Sequence, residues 1–225
     1  MKLLIVSATP FEIAPLINHL GQNFEKKTES VFSKNELEIT ILITGVGIAY
    51  TGYSLGKLLT QNTYDFAINV GIAGAFNRNL KIGEVVQVIS ERFGDLGVEE
   101  ADGTFTDMHE LGLLPPNDPP FENGLLLDKN SEAFQFLKKV NGLTINKVHG
   151  YTNSIEAIQK KYAVDIESME GAAFFLACKL EEIPFLQIRS ISNYVESRNR
   201  ENWNLPLAIE NLNKTVIEML GVFEN

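Results

Sequence analysis

The chain of 225 residues contains 29 acidic and 19 basic residues, which gives a formal net charge of -10. This acid excess disfavours nucleic acid and anionic membranes as partners, because their phosphates attract cations. A single cysteine, Cys178, excludes a disulfide framework and a paired-cysteine metal or redox site. The hydrophobic fraction of 44% is typical of a globular protein rather than of a disordered one.

Short apolar strands alternate with helices in the predicted element order. The predicted strands are residues 3–6, 37–43, 66–70, 85–89, 143–148 and 185–191. The predicted helices are residues 11–20, 49–59, 131–140, 154–162, 169–180 and 205–222. Such alternation indicates parallel strands joined by crossover helices. We therefore expect an α/β fold: a single three-layer α/β/α domain over residues 1–225, with a central mixed, mostly parallel sheet.

The N-terminus does not resemble a targeting signal. Only residues 3–6 are strongly apolar between Lys2 and Ser7, which is too short for the core of a signal peptide. The sequence also has no run of about 18 apolar residues, the length that a transmembrane helix needs. A cytoplasmic location is therefore expected.

Residues 93–124 interrupt the regular alternation. They include the Gly-Asp-Leu-Gly segment at 94–97 and the proline-rich segment at 114–120. A span of about 30 residues with little regular structure is long for a compact domain and is often functional. Both a functional loop and a plain surface excursion remain open for this segment.

Glu12 follows the first predicted strand, at the edge where open parallel sheets bind ligands. The same segment matches a capping box, with Thr9 as the N-cap, Pro10 at the first helical position and Glu12 reaching back. The residues alone leave open whether Glu12 belongs to a binding site or only to a helix cap.

Three further segments are candidates for ligand contact. Residues 44–47 (Thr-Gly-Val-Gly) and 70–74 (Val-Gly-Ile-Ala-Gly) are predicted turns after strands, where glycine lets the backbone approach a ligand. Neither segment matches the dinucleotide-binding or P-loop patterns. Residues 165–173 open a predicted helix with three carboxylates, which either stabilise the helix dipole or bind a sugar diol.

Neither a metal nor a cofactor is expected. The three histidines, His19, His109 and His149, are far apart and lack the spacing of metal ligands. Each is more typical of a surface or packed residue than of a ligand.

Taken in this order, four segments resemble the purine nucleoside phosphorylase/nucleosidase superfamily. They are SATPFE at 7–12, GIAG at 71–74, ESMEGAA at 167–173 and RSISN at 189–193. Within that superfamily, residues 94–97 and 191–196 most resemble the futalosine hydrolases. This resemblance implies hydrolysis of the N-ribosidic bond of futalosine, with release of hypoxanthine, in the menaquinone (futalosine) pathway. It also implies a small-molecule nucleoside substrate and a homodimer or larger homo-oligomer.

The resemblance implies a role for each matching position. Glu12 stands where the nucleosidases keep the glutamate that activates water, and Glu170 where a carboxylate binds the ribose hydroxyls. Met169 stands where a methionine contacts the sugar. The further substrate-binding residues that it implies are Ile72, Ala73, Gly74, Ser168 and Ser192.

Two positions depart from the superfamily pattern. Asn193 replaces an aspartate that protonates the purine in adenine-specific relatives, and an amide hydrogen-bonds without donating a full proton. Its donor and acceptor therefore favour a 6-oxopurine leaving group over adenine. Ile72 replaces a hydroxyl residue that helps phosphorylases to hold phosphate, which favours water as the nucleophile. Arginines elsewhere in the chain leave that inference open.

The alternatives are a 5′-methylthioadenosine/S-adenosylhomocysteine nucleosidase, a purine nucleoside phosphorylase, and a non-catalytic nucleoside-binding protein with the same fold. Asn193 disfavours the first, Ile72 the second, and the presence of both Glu12 and Glu170 the third.

Overall fold

A computed structural model describes residues 1–129 and 136–223. Its strands are β1 Lys2–Ser7, β2 Glu25–Lys26, β3 Val31–Lys34, β4 Leu37–Ile43, β5 Phe66–Ala75, β6 Val85–Glu91, β7 Gly97–Glu99, β8 Phe105–Asp107, β9 Leu126–Leu127, β10 Lys138–Thr144, β11 Ile166–Ser168 and β12 Phe185–Tyr194. Its helices are α1 Ala14–Asn23, α2 Ile48–Leu59, α3 Thr152–Lys161, α4 Gly171–Leu180 and α5 Leu205–Phe223. No helix within the described ranges is long and apolar enough to cross a membrane.

The main sheet mixes parallel and antiparallel pairs. Strand β1 lies between β4 and β5 and is parallel to both, and β12 continues the sheet parallel to β5. Strand β6 is antiparallel to β12 but parallel to β10, which in turn is parallel to β11. Strand β11 then pairs antiparallel with β5, so β5, β12, β6, β10 and β11 pair in a closed sequence. The predicted α/β fold with a mixed sheet is confirmed, and its three-layer arrangement stays a prediction.

Helices pack against both faces of β1, whose alternate residues point to opposite sides. In β1, Leu4 and Val6 belong to an apolar cluster that includes residues of α2 and α4. Leu3 and Ile5 belong to a second cluster, which includes residues of α1 and α5. A strand buried on both faces has no polar alternation, which explains the apolar run at residues 3–6.

The region around β10 differs from the prediction. The strand spans Lys138–Thr144 instead of 143–148, and residues 138–140 of the predicted helix 131–140 belong to it. Residues 131–135 of that helix lie outside the described residues. The Asn141-Gly142 pair lies inside the strand, next to an irregularity in the pairing with β6. Neighbouring strands on both sides, β6 and β11, hold this segment extended.

Two predicted irregular segments contain strands. Residues 70–74 are not a turn, because β5 continues through them to Ala75 and pairs there with β12 and β11. Within residues 93–124, β7 and β8 pair antiparallel. This region also lines a cavity of about 580 Å³, with Arg92, Asp107 and Tyr162 among its walls. None of the candidate site residues is among the described residues that line this cavity.

Candidate active site

Glu12 connects the turn after β1 to strand β5. Its Oε2 accepts hydrogen bonds from Thr9 N at 3.1 Å and Thr9 Oγ1 at 2.8 Å, and Glu12 N lies 3.4 Å from Thr9 Oγ1. These are the contacts of a capping box, but α1 begins only at Ala14, so Pro10 is not its first residue. Glu12 Oε1 accepts a further hydrogen bond from Ile72 N at 3.1 Å. The carboxylate thus caps the turn and also reaches the sheet.

A buried asparagine of α5 forms hydrogen bonds with the backbone of this turn and of α1. Asn213 Nδ2 donates to the carbonyl oxygen of Glu12 at 2.8 Å, and Asn213 Oδ1 accepts from Leu16 N at 3.0 Å. Asn213 is 2% exposed, so water does not compete for these bonds. The backbone of Glu12 is therefore fixed by a residue from the last helix.

Gly71 leaves the space in which Glu12 and Arg189 come together. A Cβ atom at this position would lie 2.9 Å from Glu12 Oε1 and 3.1 Å from Arg189 Nη1. Arg189 is 1% exposed and donates from Nη2 to Asn69 Oδ1 at 2.5 Å. Its Nε has no hydrogen-bond partner among the described residues. A side chain at position 71 would crowd both the carboxylate and the guanidinium.

Glu170 enters the same cluster from the start of α4. Helix α4 begins at Gly171, two residues later than predicted, and Glu170 is its N-cap residue without a side-chain cap bond. Its Oε1 instead accepts a hydrogen bond from Gly47 N at 3.0 Å, and its Oε2 lies 4.0 Å from Arg189 Nη2. Gly47 has a φ of 99°, a conformation that glycine adopts without strain.

The charges of Arg189 and Glu12 both affect the pKa of Glu170. Burial raises the pKa of Glu170, whereas the Arg189 charge and the Gly47 N–H oppose this rise. The negative charge of Glu12 raises the pKa of Glu170 further. Two carboxylates from distant segments of the chain and one buried guanidinium therefore form a single cluster.

Asn193, in β12, lies beside Gly74, which is further along β5 than Ile72. The pairing of β12 with β5 shifts between Ile191 and Asn193, so Ser192 occupies the irregularity and Asn193 pairs with Gly74. Ser192 Oγ lies 2.8 Å from Asn193 Oδ1 and 3.2 Å from the carbonyl oxygen of Ala73. Asn193 Nδ2 donates to the carbonyl oxygen of Tyr194 at 3.0 Å.

Residues 2–222 match the family described as Phosphorylase superfamily. The chain belongs to this superfamily. A relative from Maridesulfovibrio salexigens, named 5′-methylthioadenosine/S-adenosylhomocysteine nucleosidase, is 30% identical over 87% of each chain. Relatives with such names confirm the prediction of an enzyme family that cleaves N-glycosyl bonds.

Solved structures support the fold of this superfamily member. A 5′-methylthioadenosine/S-adenosylhomocysteine nucleosidase from Colwellia psychrerythraea in complex with adenine has a TM-score of 0.75 and 22% identity, covering 98% of this chain and 95% of that one. Futalosine hydrolase of Helicobacter pylori has a TM-score of 0.78 and 16% identity, covering 98% and 97%. At these identities the likeness concerns the fold alone.

The predicted site residues occupy two neighbouring groups along β5. The first group contains Glu12, Glu170 and Ile72. The second contains Asn193 and Ser192, which lie beside Ala73 and Gly74. Ile72 and Gly74 are two residues apart, which is roughly 7 Å along a strand. Ser168 Oγ accepts a hydrogen bond from Gly171 N at 3.4 Å. Met169, the residue after Ser168, is half-buried.

Four residues of this region were not predicted as site residues: Gly47, Arg189, Glu167 and His149. Gly47 belongs to the predicted turn at 44–47 and Arg189 to the RSISN segment of the resemblance, but neither was given a role of its own. Glu167 was assigned to a helix start, but it belongs to β11 and contacts His149. Within the described residues, no group of three or more histidine, cysteine or acidic side chains is arranged to hold a metal.

Proposed function

We propose that this chain hydrolyses the N-ribosidic bond of a purine nucleoside. The observation that carries the proposal is the convergence of Glu12, Glu170 and Arg189 at the Gly71-Ile72 segment of β5. The acids come from segments far apart in the chain. Both are buried and held by backbone N–H groups, which preorganises them for a reaction that develops charge.

In the proposed reaction Glu12 is the general base. A water molecule attacks the anomeric carbon of the ribose and passes a proton to the ionised Glu12 carboxylate. The electron pair of the broken carbon–nitrogen bond passes to the departing purine. Glu170 accepts hydrogen bonds from the ribose hydroxyls, and a carboxylate with two oxygens suits a diol. General-base catalysis of this kind contributes about 10²–10⁴-fold.

The charge of the cluster supports water rather than phosphate as the nucleophile. Two carboxylates, Glu12 and Glu170, adjoin the single guanidinium of Arg189. A phosphate there would meet repulsion from both acids, and the one cation already has Asn69 and Glu170 as neighbours. Of the other arginines, Arg78 contacts Glu196 and Arg92 contacts Asp107.

Two substrates are candidates. The names of the curated relatives favour 5′-methylthioadenosine and S-adenosylhomocysteine. A specific residue favours futalosine: Asn193 presents an amide, whose donor suits a 6-oxo group and whose acceptor suits a protonated ring nitrogen. Neutral aspartic acid at this position would instead suit a 6-aminopurine. We therefore carry futalosine, with hypoxanthine as the product, as the second candidate.

The test is purine release in phosphate-free buffer from futalosine, inosine and 5′-methylthioadenosine, followed by chromatography. Adenine release from 5′-methylthioadenosine alone would establish the first candidate, and hypoxanthine release from futalosine alone the second. Release only after phosphate is added would contradict hydrolysis. In a companion assay, Asn193→Asp should move the preference toward the 6-aminopurine, and unchanged selectivity would contradict the role given to Asn193.

We propose that residues 1–225 form one domain, that the protein is a homo-oligomer, and that it works in the cytoplasm. The substrate-binding roles of Ile72, Ala73, Gly74, Ser168, Met169 and Ser192 are part of the same proposal.

A further inference from the structure

The reaction proposed above needs a proton donor that Asn193 does not supply. Negative charge builds on the purine as its bond to the sugar breaks, and a positioned acid accelerates that step. An amide has no transferable proton at neutral pH. Both polar atoms of this amide also have protein partners, Oδ1 at Ser192 Oγ and Nδ2 at the carbonyl oxygen of Tyr194. Asn193 is left with a hydrogen bond to offer but no proton.

An ionisable pair lies beside Asn193, across Gly74. A Cβ atom on Gly74 would lie 3.2 Å from Asn193 Nδ2 and 3.5 Å from Glu167 Cγ. The two side chains lie on either side of Gly74 because β12 and β11 pair with β5 on its two sides, with Asn193 and Glu167 both opposite Gly74. Glu167 is hydrogen-bonded to His149, which places the imidazole close to the same position.

Glu167 holds His149 by two bonds. Its Oε1 accepts from His149 N at 3.1 Å and its Oε2 lies 2.7 Å from His149 Nδ1. The Glu167 side chain is 4% exposed and the His149 side chain 11%. The ring centroids of Phe76 and His149 lie 6.2 Å apart, which further limits the orientation of the imidazole. Backbone, carboxylate and ring contacts together fix this side chain.

The pairing determines which ring nitrogen is free. An ionised carboxylate only accepts hydrogen bonds, so Nδ1 carries the proton that faces Glu167. Nε2 is then the nitrogen that is left for a ligand, and in the imidazolium form it carries a transferable proton. Orientation of a histidine by a carboxylate is a common arrangement for acid–base work.

We propose that His149 is the general acid that protonates the departing purine and that Glu167 is its positioning residue. This inference rests on the proposed function. As the bond between the anomeric carbon and the purine breaks, its electron pair passes to the base, and the Nε2 proton of His149 passes to a ring nitrogen of that base. Water adds to the anomeric carbon and gives its proton to Glu12. Proton exchange with solvent then restores His149 and Glu12.

The experiment compares leaving groups that do and do not need an acid. Turnover of the best purine nucleoside is measured beside that of 4-nitrophenyl β-D-ribofuranoside, whose nitrophenolate departs without protonation. His149→Gln should lower kcat for the purine nucleoside by about 10²-fold or more, since an acid contributes about 10²–10⁴-fold, and leave aryl riboside cleavage unchanged. Glu167→Gln should give the same selective loss to a smaller extent. His19→Gln, a histidine of α1, is the control and should change neither rate.

Two outcomes would contradict the proposal. Equal loss on both substrates would mean that His149 only supports the fold, and no loss on either would mean that another group supplies the proton. If the intact protein leaves the aryl riboside uncleaved, 7-methylinosine, whose cationic base departs without an acid, replaces it in the same comparison. Failure of the intact protein to release a base from any nucleoside would overturn the proposed function itself, before any variant is made.

Discussion

Two buried glutamates adjoin the first turn of α4 and have different neighbours. Glu170 immediately precedes the helix, accepts a backbone N–H from Gly47 and lies 4.0 Å from the guanidinium of Arg189. Glu91 comes from β6, is fully buried, and would collide with any side chain at Gly171. The first is part of the candidate site, whereas the second is enclosed in the core.

The partners of Glu91 are neutral side chains. Gln187 Nε2 donates to it at 2.6 Å and Thr144 Oγ1 at 2.8 Å, while Thr144 Oγ1 accepts from Ala172 N at 2.7 Å. Burial raises the pKa of Glu91 to about 7, although these hydrogen bonds and the charge of Arg189 oppose the rise. Burial alone therefore does not identify a site acid. A cation in contact and a second carboxylate nearby distinguish Glu170 from Glu91.

The largest expected effect is a loss of turnover when Glu12 of the candidate site is changed. Glu12→Gln should lower turnover by about 10²–10⁴-fold, because an amide does not accept the proton of the attacking water. Substrate binding should change little, as judged by calorimetric titration with a nucleoside. Near-normal turnover would leave Glu12 with its capping role alone.

A matched control separates these two roles of Glu12. Thr9→Ala removes the hydroxyl that donates to Glu12 Oε2 and should destabilise the protein by about 1 kcal/mol, as loss of a cap does. Turnover should fall far less than in Glu12→Gln. Comparable losses in the two variants would show that the turn, not the base, controls the rate.

The next effect is expected at Glu170. Glu170→Gln should lower kcat/KM for a riboside by roughly 10- to 100-fold, the cost of weakening a hydrogen bond to a charged group by about 1.5–3 kcal/mol. The intact protein should discriminate strongly against the 2′-deoxynucleoside, and the variant should discriminate much less. A variant with undiminished discrimination would place ribose recognition elsewhere.

On the core side, Gly171→Ala tests the enclosure of Glu91. Its new methyl group would collide with Glu91 Oε1 and lie 2.7 Å from Gln187 Nε2, so we expect a loss of about 1–3 kcal/mol in the free energy of unfolding. Gly21→Ala in α1, which has open space around it, should instead stabilise by about 0.4–1 kcal/mol. Urea denaturation measures both. Stabilisation by both variants would contradict the packing described here.

The smallest effect is the pH dependence of stability caused by Glu91. Its folded-state pKa of about 7 exceeds the ordinary 4.5, so the folded protein keeps a proton that the unfolded chain has released. The stability that this group contributes below pH 4.5 is therefore lost as the pH rises toward 7. Glu91→Gln removes this dependence. The melting temperature of the variant, relative to that of the intact protein, should therefore rise between pH 5 and pH 8. The exposed Glu36→Gln should show a constant difference.

The sequence was informative where the structure is local. The strands predicted at 3–6 and 37–43 correspond to β1 and β4. The resemblance, not a local pattern, indicated that Glu12 and Glu170 belong to one site, and they do enter one cluster. The sequence was uninformative where distant segments decide the outcome. The bond from Gly47 N to Glu170 joins residues 123 positions apart, and no local pattern encodes it. Likewise, residues 141–142 of β10 pair with β6 and β11, which are distant in sequence.

Asn213 has a consequence for the order in which the protein matures. Its side chain binds the carbonyl oxygen of Glu12, which lies 201 positions earlier in the chain. A ribosome therefore synthesises Glu12 long before the residue that immobilises it. The segment that holds Glu12 therefore lacks this anchor until α5 docks, so the position proposed for the general base becomes fixed only once that helix has formed. Proteolytic removal of α5 should silence the enzyme even where the rest of the sheet survives.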